Sequence, residues 1–321
     1  MPESPQRSQR PRAFHTPVLC REVVSAFADL GGGTLIDGTV GLGGHAEALL
    51  RADSRRRLVG IDRDATALAL AAERLADFGD RATLFHGNFA DAEDIVRRVG
   101  LREVEGLLLD LGASSLQFDD PERGFSFRTD GPLDMRMDRT HGPTAAEWLS
   151  HATETEISRA LHEYGEERYA RRIARALVRA RNTAPIARTA ELVRIVHRAV
   201  PAAAFAARID PATRTFQALR IAVNGELDAL ARGLAAGFRI LAPGGRMAVI
   251  SFHSLEDRQV KTFFRERAAR CLCPPDFPEC RCGKQVEAEI LTRKPIEPSP
   301  DEVSANARAR SGKLRVCRKV A

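Results

Sequence analysis

Three acidic residues each close a short apolar run: Asp37 after Thr34-Leu35-Ile36, Asp62 after Leu58-Val59-Gly60-Ile61, and Asp110 after Val104–Leu109. Between the first two lies a glycine-rich turn, Gly38, Gly41, Gly43 and Gly44, which leads into a helical stretch at Ala46-Glu47-Ala48-Leu49-Leu50. Glycines let such a turn reach positive φ and approach a ligand closely. The helix behind it points free N–H groups at the same place. In an open α/β sheet the carboxyl ends of the strands meet in one crevice, where ligands bind. A carboxylate is an acceptor only, so Asp62 suits a vicinal diol such as ribose. Its competing role, capping the helix from Ala65, is better filled by Asp64.

Gly41-Leu42-Gly43-Gly44-His45-Ala46 also fits the dinucleotide pattern G-x-G-x-x-A. In a dinucleotide site, however, the first glycine follows the strand directly. Here Gly38, Thr39 and Val40 separate Asp37 from Gly41. The spacing therefore favours S-adenosylmethionine over NAD, with the turn around the amino-acid part and Asp62 on the ribose. Asp110 ends the most apolar strand and precedes the least regular stretch, which would put it beside a transferring methyl group. The alternative is a turn-forming Asp ahead of Gly112.

The elements that must position these residues follow from periodicity. Strands are expected at Thr34–Asp37, Arg57–Asp62, Ala82–His86 and Val104–Leu111, with helices at Cys20–Leu30, Ala65–Phe78 and Asp91–Val99. That alternation indicates a doubly wound α/β sheet. Val104–Leu111 is nearly all apolar, as a central parallel strand buried on both faces should be. The rhythm breaks at Gly112–Asp138, a long functional loop. Helices are then expected at Ala145–Leu149, Glu154–Tyr164, Arg168–Arg181 and Ala190–Ala199, and one long helix at Thr213–Leu241, closed by Pro243-Gly244-Gly245. Met247–Phe252 resumes the strands, Glu256–Ala269 is helical, and Ile290–Arg293 with Leu314–Arg318 would be a final strand pair. The expected division is a disordered basic tail over residues 1–13, an α/β domain over 14–138 and 214–321, and an inserted helical substrate-binding domain over 139–213.

Charge is uneven. His151–Arg220 holds thirteen Arg against seven Asp and Glu, a surplus of +6 equal to the net charge of the whole 321-residue chain. Solvated helix faces do not require such a surplus, whereas a phosphate-rich partner does. No apolar run is long enough to span a bilayer, the N-terminus lacks the apolar core of a secretory signal, and six cysteines do not make a disulfide scaffold, so a cytoplasmic setting is expected.

Eight blocks carry a resemblance: His15–Leu19; Asp37-Gly38-Thr39 with Gly43-Gly44-His45; Asp62-Arg63-Asp64; Leu109–Ser115; Arg123–Phe127; Gly131–Met137; Pro211–Gln217; and Ser251–Arg258. Together, and in order from about Phe14 to Arg318, they resemble the bacterial 16S ribosomal RNA (cytosine-N4)-methyltransferase family, called RsmH or MraW. The resemblance implies a class I S-adenosylmethionine-dependent methyltransferase sheet (Rossmann-like) interrupted by a helical domain. It implies methylation of the exocyclic N4 of a cytidine in the decoding region, the P site, of the small-subunit RNA, and it allows a homodimer. It also implies that Gly43, Gly44 and His45 hold the methionine end of the donor, that Asp62 takes the ribose, that Phe89 lies against the adenine, and that Asp110 and Gln117 complete the pocket. His45, Phe89 and Gln117 come from the resemblance alone; read by themselves they are a helix-start residue, a core residue and loop surface.

Other residues keep two readings. Asp110, or a backbone carbonyl of Leu111–Ser114, would accept from the target amino group; the Pro-Pro-aromatic loop common in DNA cytosine-N4 enzymes is replaced here by Leu111-Gly112-Ala113-Ser114. His253 and Ser254 either act near the base or form a turn with Ser254 as helix cap. Arg123, Arg128 and Arg136 contact RNA phosphates or pair with loop acids. Phe125 and Phe127 stack on a splayed base or anchor the loop. Cys271, Cys273, Cys280 and Cys282 form C-x-C-x6-C-x-C, which suits tetrahedral zinc or is a set of reduced surface thiols. No metal ligand is assigned from the sequence. A non-catalytic RNA-binding module, a nicotinamide oxidoreductase and a DNA cytosine-N4 methyltransferase, which the missing Pro-Pro-aromatic loop disfavours, are the remaining alternatives. Intact polar residues in the pocket disfavour the first, and the turn spacing disfavours the second.

Overall fold

The computed structural model describes residues 17–206, 210–271, 273 and 282–320. The basic tail, His15, Thr16 and Cys280 lie outside the described residues. The first half alternates as expected: α1 (Cys20–Ala26), β1 (Thr34–Asp37), α2 (Gly44–Ala52), β2 (Arg57–Asp62), α3 (Ala65–Leu75), β3 (Ala82–His86), α4 (Ala92–Arg98) and β4 (Val104–Asp110). A short helix α5 (Ser115–Asp119) sits inside the long loop, followed by α6 (Ala145–His151), α7 (Glu154–Glu163), α8 (Ala170–Arg181) and α9 (Thr189–Ala199). Then come α10 (Ala212–Asn224), α11 (Glu226–Ile240), β5 (Leu241–Ser251), α12 (Ser254–Ala268), β6 (Ala288–Ile290), α13 (Pro300–Ala305) and β7 (Lys313–Lys319).

The sheet order is β3-β2-β1-β4-β5-β7-β6. β1 to β5 run parallel, and β7 pairs antiparallel with both β5 and β6. This is the class I methyltransferase arrangement. The order reverses at β1 and β4, so a crevice opens between their carboxyl ends. One apolar cluster joins a sheet face to α4, α11 and α12; a second joins the other face to α1, α2 and α3. A third runs from Leu133 to Leu219 and packs α6 to α10 among themselves.

Small residues set how closely the helices lie. A Cβ on Gly237 would stand 2.2 Å from Leu107 Cδ2, and one on Gly233 would stand 2.3 Å from Phe89 Cδ2, so α11 can press on the sheet only with hydrogen at both positions. Capping fixes several starts: Asp64 accepts from Thr66 N–H, and Thr144 and Thr153 form capping boxes with Glu147 and Glu156.

The single helix expected over Thr213–Leu241 is two. Gly225 takes φ 58, which breaks the ladder and turns α10 into α11; a lone glycine in a helical pattern gives little warning of this. The Pro243-Gly244-Gly245 turn falls inside β5, where pairing with β4 slips between Val104–Leu241 and Gly106–Arg246. A final antiparallel pair forms, but β6 ends at Ile290, where the expected strand Ile290–Arg293 began, so only that residue is shared. Among the described residues no helix is long and apolar enough to cross a membrane.

Candidate active site

A cleft of about 530 Å³ opens at the carboxyl ends of β1, β2 and β4 and is lined by Gly38–Leu42, Gly44, His45, Asp62, Phe89, Asp110–Ser115 and Gln117, and also by Arg220, Glu226 and Glu256. The glycine turn folds back on the strands. Gly38 N–H donates to Leu108 O (2.9 Å), Val40 N–H to Ile61 O (3.0 Å) and Gly43 N–H to Val40 O (2.7 Å). Gly41 and Gly43 take φ 51 and 77, which a side chain would strain. Gly43 faces Ala71 and Leu75 of α3 rather than the cleft.

At the base of the cleft three titratable side chains meet. His45, in the first turn of α2, is 5% exposed, and its Nε2 lies 3.4 Å from Asp110 Oδ2, an ionic contact rather than an aligned hydrogen bond. Burial opposes a charged imidazole, but Asp110 beside it, with Cys20 and Asp37, outweighs that and pushes it up to about 10. Burial pushes Asp37 up to about 7, against the pull of His45 and the Thr39 N–H. Among the described residues Asp37 Oδ2 and Asp110 Oδ1 are buried without a hydrogen-bond partner, and neither ring nitrogen of His45 has one in aligned geometry. Such orphaned atoms are uncommon in a folded interior and mark a place built for a polar ligand.

Asp62 spends one acceptor site per oxygen on the backbone: Gly41 N–H donates to Oδ2 (2.7 Å) and Asp64 N–H to Oδ1 (2.8 Å). Each oxygen keeps a further lone pair, which fits a diol. Burial raises its carboxyl above the ordinary range. Phe89 follows β3 and is held between Gly38 and Gly233.

Gln117 is not loop surface. It is 4% exposed on α5, its carbonyl accepts from Ser114 N–H (3.0 Å), and its amide donates to Asp64 Oδ2 (2.9 Å). One amide N–H remains for a ligand. Arg123 reaches the same Asp64 oxygen at 2.7 Å and is itself 3% exposed, donating also to the carbonyls of Arg136 and Met137. It is therefore a buried clamp on the long loop, and the expectation of a phosphate contact is corrected. Arg136 is bonded to Asp134 (2.7 Å), whereas Arg128 is exposed. Phe125 is buried and Phe127 packs on Phe216 at 4.9 Å, so both anchor the loop.

Further lining comes from the second half of the chain. Arg220 grips Glu226 with two bonds (2.9 and 2.8 Å). Glu256 is 2% exposed and accepts from Phe252 N–H (2.8 Å). Burial alone would raise Glu256, but His253 and Arg220 hold it low. The cap of α12 is His253, whose Nδ1 accepts from Glu256 N–H (3.3 Å); the expected cap, Ser254, instead donates to Glu166 (2.9 Å). Sequence reasoning missed Arg220, Glu226 and Glu256. Glu256 stood inside the Ser251–Arg258 block, two residues from the pair singled out there, while Arg220 and Glu226 carried no local signal.

Residues 12–320 match the MraW methylase family model. A protein of Symbiobacterium thermophilum named ribosomal RNA small subunit methyltransferase H is 55% identical over 302 residues, 94% of this chain and 95% of that one. Proteins of the same name from Heliobacterium modesticaldum and Syntrophotalea carbinolica are 52% and 50% identical, each across 95% of this chain and 98% of its own length. With a whole-length family match and half the residues shared with relatives of equal length, the chain belongs to the MraW methylase family.

Proposed function

We propose that this enzyme methylates the exocyclic N4 of a cytidine in the decoding region of the 16S RNA of the small ribosomal subunit, with S-adenosylmethionine as donor. The observation that carries this reading is the convergence of the glycine turn, Asp62, Phe89, Asp110 and Gln117 on one cleft in a chain matched to the family from end to end. When bound, the donor supplies an electrophilic sulfonium methyl carbon. In this reading Gly43 shapes the turn, Gly44 and His45 hold the methionine end, Asp62 takes the ribose, Phe89 covers the adenine and Gln117 uses its spare N–H. The orphaned polar atoms at His45 and Asp37 support the fit to a zwitterionic amino-acid end.

The cytosine amino group is a poor nucleophile because its lone pair is delocalised into the ring. Holding it in line with the methyl carbon is therefore the main task of the protein. An acceptor on the amino N–H would localise the lone pair and take up the proton. Asp110 offers Oδ1, which has no hydrogen-bond partner among the described residues, while His45 lies against Oδ2. Asp110→Asn should lower kcat by roughly 10²-fold or more with donor affinity unchanged. Loss of donor affinity with kcat intact would make Asp110 a donor-holding residue instead. On the helical layer, Arg171, Arg172 and Arg179 of α8 are exposed and suit RNA phosphates.

Tritiated donor offered with small ribosomal subunits, naked 16S RNA and duplex DNA tests the whole reading. Label is expected in the ribosomal RNA, on cytidine N4. Label in DNA alone, or in none of the three, refutes it.

A further inference from the structure

The stretch between α12 and β6 leaves the methyltransferase sheet and returns to it. Its two ends are joined at the neck: Glu287 N–H donates to Arg267 O (2.9 Å), and the two side chains form an ion pair. Beyond the neck, Cys271 and Cys273 lie on the outgoing arm and Cys282 on the returning one. Their sulfurs all lie within 4.8 Å of one another. We propose that Cys271, Cys273 and Cys282 bind one zinc ion that ties the two arms together.

Three observations carry this. First, Cys271 Sγ and Cys282 Sγ are 3.8 Å apart. Four sulfurs about 2.3 Å from a tetrahedral zinc stand about 3.8 Å from each other. A disulfide needs about 2.05 Å and joins only two of three thiols. Second, Cys273 N–H points at Cys271 Sγ at 3.3 Å; a donor aimed at sulfur favours the thiolate that a metal requires. Third, Cys271 and Cys282 are exposed, within reach of a metal from solvent, and the sequence between Cys273 and Cys282 is rich in proline with Pro274, Pro275 and Pro278. Soft thiolate donors select zinc over magnesium or calcium.

Glu226, His253 and Glu256 also bring three ligand-type atoms together. There, however, the Arg220 guanidinium already neutralises Glu226, which leaves less charge for a cation.

The test uses the full-length chain, purified reduced and without chelator after growth in zinc-supplemented medium. Metal analysis should find about one zinc per chain, and cobalt(II) chloride added to metal-stripped protein should give the thiolate charge-transfer band and tetrahedral d–d bands. The triple variant Cys271→Ser, Cys273→Ser, Cys282→Ser should lose the zinc and the cobalt spectrum while keeping its far-ultraviolet circular dichroism and donor affinity. A zinc ratio below about one tenth with zinc chloride in excess, a cobalt spectrum without thiolate bands, or full zinc retention by the triple variant would each overturn the proposal. The cobalt spectrum of the unmodified chain decides the matter even if the variant fails to fold.

Discussion

Asp64 ties Gln117 and Arg123 to the start of α3 at the edge of the cleft, and Asp64→Asn tests that role. The side chain is 3% exposed; one oxygen accepts from the α3 backbone (3.0 Å), and the other accepts from Arg123 (2.7 Å) and Gln117 (2.9 Å). Asparagine keeps the size and the cap but turns the second oxygen into a donor facing two donors. Removing one partner of a buried ion pair costs about 3–5 kcal/mol. The two carbonyls that Arg123 also contacts keep the guanidinium partly satisfied, so the low end, about 3 kcal/mol, is expected. That is a large share of a typical stability of about 5–15 kcal/mol. Urea unfolding measures it. Calorimetry with S-adenosylhomocysteine reads the cleft: with Gln117 released, affinity should fall about tenfold, or about 1.4 kcal/mol. Adding Arg123→Met removes the stranded charge, so the double variant should regain about 1–2 kcal/mol over Asp64→Asn. A loss under about 1 kcal/mol for Asp64→Asn, or strictly additive single changes, would refute the assignment of Asp64 as a buried charge hub.

The His45 imidazole titrates near 6.5 when unfolded and about 10 when folded, so its stabilisation is complete below pH 6.5 and is lost as pH rises toward 10. Unfolding free energy of the ligand-free protein should fall over that window with a slope approaching about 1.4 kcal/mol per pH unit, and His45→Gln should flatten it; an unchanged slope in the variant would show that His45 is not the group responsible. Asp37, raised from 3.8 to about 7, acts in the same direction at lower pH: stability falls as pH climbs between those values, and Asp37→Asn should remove that part of the denaturation profile. Gly233→Ala would drive a methyl group to within 2.3 Å of the Phe89 ring, so a loss of about 1–3 kcal/mol in thermal unfolding is expected together with weaker donor binding; full donor affinity in a destabilised variant would remove Phe89 from the adenine pocket.

The sequence alone determined the sheet, its cofactor end and the class of ligand. Strand and helix periodicities differ, so the alternation from Thr34 to Asp110 was legible, and the acids that close the strands announced the crevice because strand ends are where an open sheet receives its ligand. The interval between Asp37 and Gly41 separated a methyl donor from a dinucleotide. What the sequence did not determine is which polar residues meet across the chain. Arg123 and Asp64 are 59 positions apart and His45 and Asp110 are 65 apart; no local pattern encodes a contact of that separation. The tertiary structure turned Arg123 from a phosphate candidate into a buried clamp, moved Gln117 from surface to pocket wall, and brought Arg220, Glu226 and Glu256 into the cleft that Asp110 lines. The reason is physical: a side chain's charge and donor count are fixed by its type, but whether it serves solvent, core or ligand is decided by what the folded chain packs around it.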